Sequence, residues 1–282
     1  MKTMVARAMT GLALVGLAGA GWFCQRTGKT VSSVETVAPS PAAEMIVAGL
    51  GGFRGIAAEV VWFRAECLRN QGRYAELAQL ATWLTFLEPH TSEVWSYTAW
   101  NLAYNISVTM PTPADRWRWV EAGIRLLRED GLRLNPGDAA IYKELSWMFL
   151  QKIGGHLDSA SPYYRQEWRN QVEKAFAEGT LSDLGLDPAR MAALDDEYGE
   201  QDWGSPLASA LYWGTRGYEL AKKPELKAEL HQLVYQALMY EARSDARFAP
   251  RALKEMRAAF KENPSPLLYG MIEAFRGNFG LE

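Results

Sequence analysis

The stretch "GRYAELAQLATWLTFLEP", residues 72–89, reads as a turn, a helix and a stop. Leu77, Leu80, Ala81, Leu84 and Leu87 recur at the three- and four-residue spacing of one helix face, so a single side of the segment has to leave water. Pro89 carries no N–H to continue the ladder and ends it. Upstream, Val61, Ala65 and Leu68 form a second apolar face, and Gly72-Arg73-Tyr74 separates the two. The predicted unit is an αα-hairpin. Two helices alone leave part of both stripes in water, which predicts that neighbours stack against them.

The pattern continues along the chain. After Ser92, a predicted N-cap, Val94, Trp95, Ala99, Leu102 and Ile106 make another stripe, which "NISVTMPTPA" (105–114) ends. Val120, Ile124, Leu127, Gly131 and Leu134 follow, and Asn135-Pro136-Gly137 stops them as Glu88-Pro89 stopped the earlier helix. Ile141, Leu145, Met148 and Phe149 then open a helix that Gly154-Gly155 closes. Further on, Ser205-Pro206 reads as a cap with a first-turn proline ahead of Leu207, Ala210, Leu211, Gly214 and Tyr218. Pro224 starts the next helix, with Leu226, Leu230, Leu233, Val234 and Ala237 inward, and residues 251–261 and 266–275 add two short ones. No stretch sustains period-two alternation, so no sheet is expected. Pro89 to Pro136 spans one cycle of loop, helix, longer loop, helix and proline stop, in the period range of helical-hairpin solenoids.

The passage "NQGRYAELAQLATWLTFLEP" (70–89) resembles the tetratricopeptide repeat, with its glycine-x-tyrosine turn, second amphipathic helix and closing proline; Ala65 and Ala81 fit that family's packing positions. Leu77 and Leu84 depart from it, standing where the family usually has alanine. The second opening helix lacks the glycine-tyrosine turn, and the third (Tyr142, Leu145, Ser146, Phe149) has no recognisable partner helix. The resemblance implies an all-α, right-handed solenoid of αα-hairpins with degenerate repeats over residues 44–282. The chain also looks like membrane-anchored bacterial envelope proteins with degenerate repeats, a likeness that implies no activity.

Residues 1–24 read as a signal anchor or a signal peptide. Lys2 and Arg7 precede the apolar run Ala8–Phe23, and Gln25, Arg26 and Lys29 follow it. The run is short for a membrane span, Ala18-Gly19-Ala20 offers a cleavage site, and lipidation at Cys24 is a weaker option because Trp22 and Phe23 are bulky. Residues 25–43, rich in Ser, Thr and Pro, read as a flexible linker. The expected location is the cytoplasmic membrane with the folded part outside, or the periplasm if the signal is removed.

Forty-eight per cent apolar residues suffice for a large core, and a net charge of −3 argues against a nucleic-acid partner. Two cysteines and three scattered histidines give no metal site, and no cofactor motif is present. "GLGGFRG" (49–55) lacks the lysine of a phosphate loop and reads as a close-packed lead-in to the first helix. His156 and Asp158 form a conceivable base and orienting group, against the plainer reading that Asp158 or Ser161 caps the next helix. "DDEYGEQDW" (195–203) reads as a solvated acidic connection, and the basic residues from Arg243 to Lys261 as solvated helix faces. No catalytic residue is expected.

If the opening helices line an inner wall, as the resemblance implies, their free faces carry Glu66, Arg69 and Asn70, then Trp100 and Tyr104, then Lys143, Trp147 and Gln151. Aromatic side chains flanked by charges suit a protein or peptide partner, although Trp100 and Trp147 are equally consistent with core. The sequence therefore predicts a membrane-tethered scaffold for protein–protein interactions. The alternatives are an envelope enzyme, for example a glycan-cleaving one needing paired acids in a cleft, and an obligate structural subunit.

Overall fold

The computed structural model describes residues 41–156 and 158–281. All regular structure among them is helical, as the periodicity predicts. The helices are α1 (Pro41–Leu50), α2 (Arg54–Asn70), α3 (Tyr74–Leu87), α4 (Ser92–Trp100), α5 (Pro113–Arg125), α6 (Ala139–Trp147), α7 (Ser161–Glu178), α8 (Pro188–Tyr198), α9 (Pro206–Leu220), α10 (Pro224–Ser244), α11 (Ala249–Glu262) and α12 (Pro266–Phe279). Three of them run on through π-helical turns: α4 through Asn101–Ile106, α5 through Leu126–Gly131 and α6 through Met148–Ile153.

The opening stretch does what its pattern requires. Leu77, Ala81, Leu84 and Leu87 are buried, α3 packs on α2, and Ala65, Leu68 and Leu77 form the small core between them. Gly72 makes the turn at φ +69°, and the Arg73 N–H closes it on the Leu68 carbonyl at 3.0 Å, the left-handed stop that glycine supplies at low cost.

One interval recurs. The distance along the chain from Pro89 to Pro136 also separates Trp95 from Tyr142, Trp100 from Trp147, and the π turn of α4 from that of α6. The Trp95 indole N–H donates to the Pro89 carbonyl (2.8 Å), and the Tyr142 hydroxyl donates to the Pro136 carbonyl (3.0 Å). Each helix is thus pinned to its own proline turn. The same register governs helix contact. A Cβ on Gly123 would meet the Ala99 carbonyl at 2.8 Å, and one on Gly214 would meet Ser146 Oγ at 3.0 Å, so α5 closes on α4 and α9 closes on α6 where a glycine removes the obstacle.

That pairing supplies the partner that the third opening helix lacks in sequence. It is α9, reached only after α7 and α8. α4 also packs on α6 and α6 on α10, α10 on α9 and α11, and α11 on α12. One continuous core runs from Trp95 to Phe275.

Several local expectations are corrected. The signal or anchor segment 1–24 and residues 25–40 of the linker lie outside the described residues, but residues 41–43 belong to α1. Pro41 suits a first turn and Ala-Ala-Glu favours helix, so helix begins before Glu44. Glycines 49, 51, 52 and 55 have nothing within 4 Å of an added Cβ; the lead-in to α2 is open rather than close-packed. Ser92 is the first helical residue and is buried; Thr91 stands at the cap and makes no side-chain capping bond. The acidic run 195–203 is solvated as expected at Asp196, Glu197, Glu200 and Asp202, but it is anchored: Tyr198 and Trp203 are buried and Asp195 accepts from the Gln201 N–H (2.8 Å) and Trp203 Nε1–H (3.2 Å). The Ser205-Pro206 start holds: Ser205 Oγ accepts from the Leu207 N–H at 3.2 Å.

His231, buried on α10, shows how the last layers are joined. Its Nδ1 lies 3.0 Å from Glu262 and its Nε2 3.1 Å from Glu255, both on α11. Burial alone would lower its pKa; the two carboxylates outweigh burial and raise it. A histidine with a raised folded pKa stabilises the fold fully below its unfolded value near 6.5, and that stabilisation is lost as pH rises through the folded value. Glu144 and Glu241 act in the same direction, since burial lifts their carboxyls to about 7 and about 8. Urea unfolding is therefore expected to show stability falling from pH 5.5 to 8.5, and His231→Gln to be more damaging at pH 5.5 than at pH 8.5. An equal cost at both pH values would rule out the charged pairing.

Candidate functional site

The residues expected on the opening helices come together in part. Trp100 and Trp147 are 40% and 41% exposed, so the core reading of the two tryptophans is overturned. Each is the last residue before its π turn. The wider turn resets the helical phase, which is a common feature of functional positions.

Tyr104 is the hub. Its ring stacks on Trp100 with centroids 5.2 Å apart, and the Lys152 ammonium lies 5.1 Å from its centre. The Trp147 indole approaches its hydroxyl without reaching hydrogen-bond geometry, and that buried hydroxyl has no partner among the described residues. Burial, and secondarily the charge of Glu144, push the Tyr104 pKa well above the usual phenol value. Lys143 and Gln151 are partly buried on the same helix as Trp147. Lys143 Nζ is held by Glu229 of α10 at 2.7 Å.

Glu66 and Arg69 are exposed and pair with each other on α2. They act electrostatically on Tyr97 of α4, whose ring meets Trp62 at 4.8 Å. Asn70 is exposed at the end of α2. Glu66 and Arg69 thus sit near Tyr97 of α4 rather than beside Trp147.

Sequence reasoning missed Glu144. It lies three residues before Trp147 on the same stripe and stands in the register that Tyr97 occupies one interval earlier. One of its carboxylate oxygens, Oε1, is shut from solvent with no hydrogen-bond partner among the described residues. Burial lifts its carboxyl to about 7, with the Lys143 charge pulling the other way. The i, i+3, i+7 spacing of Glu144, Trp147 and Gln151 was the available signal; nothing in the sequence announced the desolvation.

The alternative base site does not form. His156 is exposed, and Asp158 accepts instead from Lys152 Nζ (2.7 Å), the Tyr164 hydroxyl (3.1 Å), the Ala160 N–H (3.0 Å) and, at 3.4 Å, Arg116. Asp158 thus orders the chain leading into α7, but neither it nor Ser161 caps the helix as the plainer reading expected: Ala160 stands at the cap with no side-chain capping bond, and Ser161 is the first helical residue. Among the described residues no group of His, Cys, Asp and Glu could hold a metal ion, and no helix is long and apolar enough to cross a membrane. No protein-family model, curated protein or solved structure matches the chain.

Proposed function

We propose that this chain is a membrane-tethered scaffold: a right-handed, tetratricopeptide-like stack of αα-hairpins whose opening helices α2, α4, α6 and α10 form a wall for a protein or peptide partner. Residues 1–24 supply the tether, and the folded part acts in the cell envelope. The observation that carries the reading is the pair of exposed tryptophans at one register of successive opening helices. A large aromatic surface left in water at a repeated position stabilises nothing in the isolated chain, and tryptophan is the residue type that dominates binding surfaces.

The test is affinity capture from membranes with the full chain against a Trp100→Ala/Trp147→Ala double variant. Both side chains are partly solvated, so the melting temperature should change little. A tryptophan at the centre of an interface is worth about 2 kcal/mol or more, so the captured partner should fall at least ~10-fold. Recovery of the same proteins in the same amounts would remove the proposal.

A permanent subunit interface is a second reading, favoured by Phe53, Ile56, Val60 and Phe63. They form an exposed stripe on the lead-in and α2, 43–74% accessible. Photo-crosslinks arising from position 56 but not from 100 or 147 would favour it.

A further inference from the structure

We propose that the seam between α4 and α6 receives the guanidinium of an arginine on the partner, which lies against the faces of Trp100 and Trp147 and pairs with the Glu144 carboxylate. This rests on the wall reading above and names the chemistry that the wall selects.

Charge matching points to a cation. α4 and its π turn carry no Lys or Arg, and the two basic side chains of α6 and its π turn are already held: Lys143 by Glu229, and Lys152 by Asp158, which also takes Arg116 from α5. Arg116 donates in addition to the Met110 carbonyl at 3.0 Å. Along α4 and α6, Glu144 is the acid with a buried oxygen that has no partner among the described residues. A desolvated carboxyl oxygen without a donor is costly, and a donor arriving from a partner removes that cost.

Aromatic geometry points to the same ligand. A cation is attracted to an indole face, most strongly where water is displaced. A planar guanidinium is weakly hydrated, stacks on rings and forks onto a carboxylate, which an ammonium does not. Trp100 stacks on Tyr104, Trp147 lies beside the Tyr104 hydroxyl and the Glu144 charge acts on the same hydroxyl, so the two indoles and the carboxyl converge on one tyrosine.

The groups facing Glu144 fix the pH behaviour. They are Tyr104 of α4, raised further above the neutral range, and Lys143 of its own helix, tied to Glu229 of α10. Glu144 itself gains its charge as pH passes about 7. Arginine binding should therefore strengthen as pH rises through that value.

The experiment uses the full chain in detergent micelles and calorimetric titration with acetyl-Gly-Arg-Gly-amide and its citrulline counterpart, which keeps the shape and loses the charge. At pH 8.5 the arginine peptide is expected to bind about 10-fold more tightly. The preference should shrink toward parity at pH 5.5, and Glu144→Gln, nearly isosteric, should abolish its pH dependence. The control also separates Glu144 from His231, which titrates elsewhere on α10. Equal binding of the two peptides at pH 8.5, a pH dependence of the preference that survives Glu144→Gln, or no binding of either at millimolar concentration would each overturn the proposal. Partner capture that still depends on Trp100 and Trp147 would then leave the scaffold standing. An arginine preference with capture unaffected by the double variant would do the reverse, supporting the site without the scaffold.

Discussion

Replacing Asp158 by alanine is expected to cost about 3–5 kcal/mol of folding stability, as for the loss of one member of a buried ion pair. Lys152 is 4% exposed, and its ammonium has Asp158 Oδ2 at 2.7 Å. Without that carboxylate, a charge remains inside the protein, with the Tyr104 and Tyr164 rings 5.1 and 5.9 Å from it. Arg116 loses a partner at the same time, and the chain before α7 loses its bond to the Ala160 N–H.

A Lys152→Met/Asp158→Ala double variant should recover much of the loss, since paired removal leaves no uncompensated buried charge. The acid limb gives an independent check. Burial alone would raise the Asp158 pKa, but the bonds from Lys152, Ala160 and Tyr164 outweigh it and hold the carboxyl below its usual range. Its contribution is therefore present above the unfolded value near 3.9 and lost as pH falls through the lower folded value. Urea titrations at pH 7 and in acid measure both effects. A cost under ~1 kcal/mol at pH 7 would show that Asp158 acts only as a surface pair does.

What the sequence disclosed and what it withheld divide along the range of the forces involved. The α3 stripe, the stops at Pro89 and Pro136, and the Ser205-Pro206 start depend on residues a few positions apart, and each was legible. The partner of α6 was not. Gly214 meets Ser146 across α7 and α8, and a glycine inside a helical pattern carries no mark of which helix it approaches. Local reading also misplaced Ser92, because burial of its side chain decides its role and depends on the other layers.

The candidate site follows the same division. Spacing could place Trp100 and Trp147 each on the free face of its own helix, yet their exposure is set by where α4 and α6 meet. The π turns of α4 and α6, which share one register, leave no compositional trace. Glu144 looked like any helix-surface glutamate; its desolvation comes from the helices packed around it. Asp158 read as a helix cap or, less simply, as a partner for His156; that Lys152, Arg116 and Tyr164 converge on it is visible only in three dimensions.

Truncating Trp168 to alanine is expected to cost about 3–5 kcal/mol, the range for a large buried aromatic. It also tests whether α7 is part of the core or an insertion lying against it. The Trp168 ring is 2% exposed, packs against Phe149 of the α6 π turn with centroids 4.6 Å apart, and donates from Nε1 to Ser209 Oγ of α9 at 3.1 Å. One side chain thus bridges the two helices of a hairpin whose chain connection runs through α7 itself. Tyr164, one turn earlier, meets Trp117 of α5 at 5.8 Å, so α7 braces both closing helices. Trp168→Phe keeps most of the ring and loses the hydrogen bond, which should cost only about 1–3 kcal/mol. The two contributions are separable in denaturant titrations, and native-state hydrogen exchange reports their reach. Protection in α5, α6 and α9 should fall together in the alanine variant, because a void at the junction weakens every helix that meets there. A nick confined to residues 156–205 with unchanged protection elsewhere would show the opposite: that α6 and α9 hold each other through the glycine contacts alone, and that α7 and α8 are carried rather than required.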